Sequence, residues 1–146
     1  MNLIIANHYL KDAELWRLAL GVGTVLDIHE KDKLKAFAEI SIKLDELIYL
    51  KHTPVDWVLY AFEEKEIHWG KFLKIEPAVS KTDDTIFLAD SLTGNFYCRP
   101  HVFSMLGGLY KLNTQDNRLF AESRASADIT KMLYSIVRSG YDIKLL

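Results

Sequence analysis

Few side chains in this sequence have the means to do chemistry, and they are scattered. Cys98 and His101 stand three apart across Arg99-Pro100, and His68 is a third residue of ligand or nucleophile type. Such a group could hold a metal ion or form a Cys–His nucleophile. A metal site normally shows its ligands in recognisable pairs, and the other histidines, at 8, 29 and 52, supply no second pair. The expectation is therefore no metal and no cofactor, with Cys98 a small buried hydrophobe inside a strand. The carboxylates Glu63, Glu64 and Glu66 and the pair Asp83-Asp84 are the other candidates. General acid–base work needs one carboxylate buried enough to shift its pKa. Both groups fall in turn-like segments close to water, so they read as solvated charges that can present an acidic patch to a basic partner. Gly21-Val22-Gly23 lacks the third glycine and the strand–turn–helix order of a phosphate loop and reads as loop punctuation. With no P-loop, complete dinucleotide fingerprint, nucleophile elbow or paired CxxC, the chain is expected not to be an enzyme.

The elements that would carry these residues follow from periodicity. Met1–Ile5 reads as a short strand and His8–Leu20 as a helix closed by Gly21. Over 33–44 both periods can be found. Leu34, Phe37, Ile40 and Leu44 fit a helix. Leu34, Ala36, Ala38, Ile40, Ile42 and Leu44 alternate with polar residues and fit a strand better, with only Phe37 out of phase. A long strand is expected there, paired with Val25–His29 across Glu30-Lys31-Asp32. Asp45–Leu50 reads as one helical turn or an irregular crossing, ended by Thr53-Pro54. Val55–Phe62 and Ile67–Ile75 read as strands around the charged turn 63–66. Thr85–Asp90 and Asn95–Cys98 read as a hairpin turning through 91–94, because Gly94 supplies the backbone freedom of a tight reversal. In that hairpin Ile86, Leu88, Phe96 and Cys98 share a face. Arg99-Pro100 stops the second strand, and His101–Leu112, interrupted by Gly107-Gly108, fits neither template. Arg118–Glu122 reads as a short strand. Ile129, Met132, Leu133, Ile136 and Val137 form a helical stripe between Ser126 and Gly140, and Tyr141, Ile143 and Leu145 alternate as a closing strand.

These elements sum to a single α+β domain over residues 1–146, a mostly antiparallel sheet with an N-terminal and a C-terminal helix packed on it. The charge balance, 18 Lys and Arg against 20 Asp and Glu, gives no basic footprint for nucleic acid. One cysteine excludes an intrachain disulfide, and no stretch reads as a secretory leader or a membrane span. A cytoplasmic protein, monomer or homodimer, with no nucleic-acid or membrane partner, is the expectation. The strand 55–62 is apolar on both faces, so it is either sandwiched or presents one face to a partner. Trp57, Tyr60 and Phe62, with Glu63, Glu64, Glu66, Asp83 and Asp84, are accordingly the candidate partner-binding residues.

Strand Thr85–Asp90, the Thr93-Gly94 turn, strand Asn95–Cys98, and then Leu119-Phe120-Ala121-Glu122-Ser123 leading into helix Ile129–Leu133 resemble the C-terminal part of the SUKH superfamily. The resemblance spans roughly residues 68–138 and carries over no site residue. It implies an α+β fold and a bacterial immunity protein that binds and blocks a toxin domain. The function expected from the sequence is thus a non-enzymatic, immunity-type inhibitor. The alternatives are a regulatory protein that binds a transcription factor or signalling protein, as in phage or quorum control, and a small enzyme or ligand binder with a pocket under the helices.

Overall fold

The computed structural model of the chain describes residues 1–7, 23–31, 33–61, 67–89, 95–114 and 140–146, the side chains of 33–34 and 108–114 aside. Two strands form its centre. β1 (Leu3–Asn7) and β3 (Trp57–Ala61) are short uninterrupted runs of mostly apolar residues, and every residue in both is buried. Such runs suit strands covered on both faces. They lie side by side and parallel, with Leu3 opposite Trp57 and Asn7 opposite Ala61. β2 (Thr24–Asp27) pairs parallel to the outer side of β1. On the far side of β3 come β5 (Phe96–Cys98), antiparallel to it, then β4 (Ile86–Leu88) and β6 (Ile143–Leu145), so the six-stranded order is β2-β1-β3-β5-β4-β6.

Helices cover both faces. Ile4, Ala6, Val58, Tyr60, Ile86, Leu88, Phe96 and Cys98 meet Ala36, Phe37, Ile40 and Leu44 of α1 (Lys33–Asp45) and Val102, Phe103 and Leu106 of α3 (Pro100–Thr114). Phe37 is the hub, edge-on to Tyr60 at 5.2 Å and within 6.2 Å of both Phe96 and Phe103. Burying such a ring contributes roughly 1.5–3 kcal/mol before its ring–ring geometry is counted. On the other face Leu3, Ile5, Trp57, Leu59, Phe87 and Tyr97 pack against Phe72 of α2 (Trp69–Ile75). Phe72 stacks on Tyr97 at 4.0 Å, and the Tyr97 hydroxyl donates to the Ile67 carbonyl at 2.9 Å.

The expected mostly antiparallel α+β sheet is therefore incorrect. Three of the five strand pairings are parallel, and five of the six described strands run in one direction, with β5 alone reversed. The error has a physical origin. Residues 33–45 and 69–75 form α1 and α2, not strands. Parallel neighbours need a crossover of a dozen or more residues, usually helical, so reading the crossovers as strands turns a layered α/β sheet into a meander. In 33–44 the alternation was carried by Ala36, Ala38 and Ile42. Alanine is the best helix former and fits either period. Ile42 faces solvent at 61% exposure, while Phe37, the residue out of phase, is fully buried. In 67–75 the aromatic content suggests a strand, yet Trp69, Phe72 and Ile75 are three apart and all turn toward the sheet.

Other expectations match the described elements. β1 and β2 overlap the strands read at 1–5 and 25–29. The turn at 45–50 is a π-helical turn, Glu46–Leu50. β4 and β5 pair antiparallel with Phe87 opposite Tyr97, and the shared face of Ile86, Leu88, Phe96 and Cys98 is as read. The closing strand is β6. The segment His101–Leu112, unassigned in the sequence, lies within α3, where Pro100 occupies the first helical position and cannot disturb a ladder. The helices read at 8–20 and 126–139, the strand at 118–122 and the turn at 91–94 lie outside the described residues. Among the described residues no helix is long and apolar enough to cross a membrane.

Candidate ligand site at the carboxyl edge of the sheet

β2, β1 and β3 run parallel and end at Asp27, Asn7 and Ala61, which face one another in register. Tyr60 opposes Phe96 and Leu88 opposes Phe96, so the same row continues through Asn95 to Ala89. The Ala89 N–H donates to the Asn95 carbonyl at 2.9 Å, which extends the ladder to that point. The row thus reads Asp27, Asn7, Ala61, Asn95, Ala89 across the carboxyl edge. Two buried amides flank a methyl, and a carboxylate stands at the outer end.

The polar members are built in. Asn7 is 8% exposed and Asn95 fully buried. Asn7 Nδ2 donates to Asp27 Oδ1 at 3.0 Å, and the Asn7 carbonyl accepts the Ile28 N–H at 2.7 Å. Lys43 Nζ donates to the Asp27 main-chain oxygen at 3.2 Å and pairs with Glu39 at 3.3 Å, so it leaves the Asp27 carboxylate alone. The chain leaves β1 and goes outward to β2, then returns past β1 to β3. The order reverses between β1 and β3. In open α/β sheets, the crevice beyond the carboxyl ends at such a reversal is where ligands bind, because the two crossovers depart to opposite sides and leave a gap.

The opposite edge is built for support. Arg99 is 5% exposed, and its guanidinium donates to the carbonyls of Asp56, Val79 and Ser80 at 2.8, 2.7 and 3.1 Å. These three charge-assisted bonds hold the loop before β4 onto the start of β3.

The sequence-derived candidates fall as follows. Trp57 and Tyr60 are both 0% exposed, on opposite faces of β3, so neither offers surface to a partner. Of the two readings of that strand, the sandwiched one is correct. Phe62, Glu63, Glu64 and Glu66 lie outside the described residues. Asp83 Oδ1 accepts the Thr85 N–H at 2.7 Å, and bonding to Thr85, its hydroxyl first, holds the Asp83 carboxyl below its usual range. Asp84 Oδ1 is 2.7 Å from His101 Nε2, both groups largely in solvent. These two carboxylates sit before β4, at the supporting edge. Cys98 is fully buried, and desolvation pushes its thiol well above the ordinary range, so it is no nucleophile. Its side chain faces α1 and α3, whereas His68 precedes α2 on the other face, in left-handed backbone at φ 47°. The three residues do not converge, and no group of three potential ligands gathers among the described residues.

Asn7 and Asp27 were missed from the sequence. Their signal was a polar residue closing each of two apolar strands, Leu-Ile-Ile-Ala-Asn and Thr-Val-Leu-Asp. That pattern acquires meaning only when the strands are known to be parallel.

No family model matches this chain, and no curated protein matches it by sequence. In fold it is similar to a solved structure described as a glycosyltransferase involved in the glycosylation of the major capsid of PBCV-1. The TM-score is 0.56 at 10% identity, over 100% of this chain and 82% of that one. The similarity is one of fold. It corrects the expectation of a non-enzymatic, immunity-type toxin inhibitor on an antiparallel sheet, since the matched architecture carries an enzyme there. The third alternative weighed from the sequence, a small enzyme or ligand binder, agrees with it better.

Proposed function

We propose that this chain is an enzyme of the glycosyl-transfer class that holds a nucleotide-activated sugar in the crevice beyond β1 and β3. The observation that carries the reading is the reversal of strand order between β1 and β3, with the hydrogen-bonding row Asp27–Asn7 and Asn95 at its carboxyl edge. The likeness in fold to a glycosyltransferase selects this chemistry among the ligands such an edge could take. In the reaction an acceptor hydroxyl oxygen forms a bond to the anomeric carbon. The anomeric carbon–phosphate oxygen bond breaks, the nucleoside diphosphate departs with the bonding pair, and the hydroxyl proton passes to a base. Hydrogen-bonding groups fixed before the ligand arrives hold it without further ordering cost, and the Asn7 amide fixes the exposed Asp27 carboxylate in this way. A cytoplasmic setting belongs to the same proposal and is supported by the unpaired, buried Cys98.

The test is a panel of sugar nucleotides added at millimolar concentration to the purified chain, with melting temperature and release of nucleoside diphosphate as readouts. At least one member is expected to raise the melting temperature, since selective binding to the folded state adds RT ln(1 + [L]/Kd). That member should also be consumed when an acceptor sugar is supplied. A panel with no thermal shift and no turnover would overturn the reading.

A further inference from the structure

We infer that the outward face of residues 42–51 is a two-fold contact through which two copies of this chain pair, with their helical segments antiparallel.

The apolar part of the face comes from three side chains. Ile40 and Leu44 of α1 enter the core, and Ile42 between them does not. Tyr49 and Leu50 belong to the π-helical turn that continues α1, and they too stay out of the core. Ile42, Tyr49 and Leu50 are 61%, 71% and 75% exposed. One exposed apolar residue is ordinary, but three of this size on one short helical segment make a patch that marks a contact.

Charge identifies the occupant. Asp45 and Glu46 lie between Ile42 and Tyr49 in the chain, Lys51 follows Leu50, and all three are exposed. The Lys51 N–H donates to the Glu46 carbonyl, five residues back, at 3.0 Å. This π-type bond brings residues 46 and 51 close to one line along the axis, whereas an α-helix would set them well apart around it. None of the three charged groups has an ion-pair partner among the described residues. A face that is negative at one end and positive at the other is complementary to itself turned round. In a two-fold pairing every contact occurs twice. Glu46 of each copy then meets Lys51 of the other, and Tyr49 and Leu50 of both meet across the axis.

A lipid surface fits this face less well. The carboxylates of Asp45 and Glu46 interrupt its apolar residues and carry the wrong sign for anionic headgroups. The size of the patch sets the strength of the pairing. Three apolar side chains and a charged rim amount to roughly half of what each partner buries in a standard stable interface. The dimer is therefore reversible, with a dissociation constant on the order of 10–500 μM.

Sedimentation equilibrium of the purified chain at about 50 mM salt, where surface charges are weakly screened, tests this. Melting curves establish that each variant is folded. A monomer–dimer equilibrium is expected, and Leu50→Ser should weaken it at least about tenfold. Glu46→Lys and Lys51→Glu, both at exposed positions, should each weaken it by about tenfold, because symmetry counts every lost attraction and every new repulsion twice. An equimolar mixture of these two variants should regain the wild-type affinity, since one carries only cations at the two positions and the other only carboxylates. Absence of self-association up to about 500 μM overturns the proposal. If that monomer binds vesicles of phosphatidylcholine and phosphatidylglycerol, and Leu50→Ser does not, the face belongs to a lipid surface instead. A dimer indifferent to all three substitutions overturns it too, because the contact then lies elsewhere. So does a mixture of the charge-reversed variants that stays monomeric.

Discussion

The guanidinium carbon of Arg99 lies 3.9 Å from the centroid of the Trp57 ring. The same indole donates its N–H to Glu76 Oε1 at 3.3 Å and meets Phe72 edge-on at 4.9 Å. One tryptophan at the start of β3 thus ties the stacked cation, the turn after α2 and the α2 face of the core into one unit. Because Arg99 also bonds three main-chain carbonyls, it holds the loop before β4 in place from inside the protein.

Replacing Arg99 by Met removes the stacking charge and strands three carbonyls. The folding free energy is expected to fall by about 3 kcal/mol or more, summing charge-assisted bonds and the cation–π contact. Arg99→Lys should recover less than half of this, since a single ammonium replaces the fork that reaches the Asp56, Val79 and Ser80 carbonyls together. Urea unfolding of the three proteins measures it.

Gly23 and Gly70 make an internal contrast. Gly23 sits at φ 96°, and a Cβ there would lie 2.4 Å from the Leu3 carbonyl oxygen. Gly23→Ala must push β2 away from β1, and a loss of about 2–3 kcal/mol is expected. Gly70 opens α2 with nothing within 4 Å of a built Cβ. Gly70→Ala should stabilise by up to about 1 kcal/mol through helix propensity. Denaturant midpoints should move in opposite directions.

Cys98 should behave as a core side chain. Its burial and raised pKa keep it a thiol, so a thiol reagent at pH 8 is expected to label it no faster than the protein opens. Labelling rates with and without denaturant check this. A rapid reaction in the native protein would contradict the packing against α1 and α3.

Asp83 has its carboxyl held below its unfolded value, chiefly by the Thr85 hydroxyl. A group depressed on folding adds stability that is fully present above the unfolded pKa, about 3.9, and is lost as pH falls through the folded value. Between pH 5 and pH 2, Asp83→Asn should therefore show a smaller loss of melting temperature than the wild-type chain. Above pH 5 the variant should be the less stable of the two.

Much of the core was legible because short apolar runs admit one reading. Leu3–Asn7 and Trp57–Ala61 are too short for helices and too apolar for loops. The hairpin face of Ile86, Leu88, Phe96 and Cys98 follows from alternation alone. The helices at 33–45 and 69–75 were not legible in the same way. Alanine and aromatic residues satisfy both periods, and only contact with a particular sheet face decides between them.

The amino-acid order alone determined that the short apolar runs are buried, that Pro54 follows the end of the helical turn at 45–50 and Pro100 the end of the strand at 95–98, and that no intrachain disulfide braces the chain. Strand direction was decided only in three dimensions. Apolar strands pair in either sense, and the choice depends on whether the intervening segment can cross back over the sheet. The site was decided at that same step. Asn7 and Asp27 lie twenty residues apart and meet at 3.0 Å solely because β1 and β2 run side by side in one direction. The histidine, cysteine and acidic residues that drew attention in the linear chain are spread by that topology over a core, a supporting edge and opposite faces of the sheet.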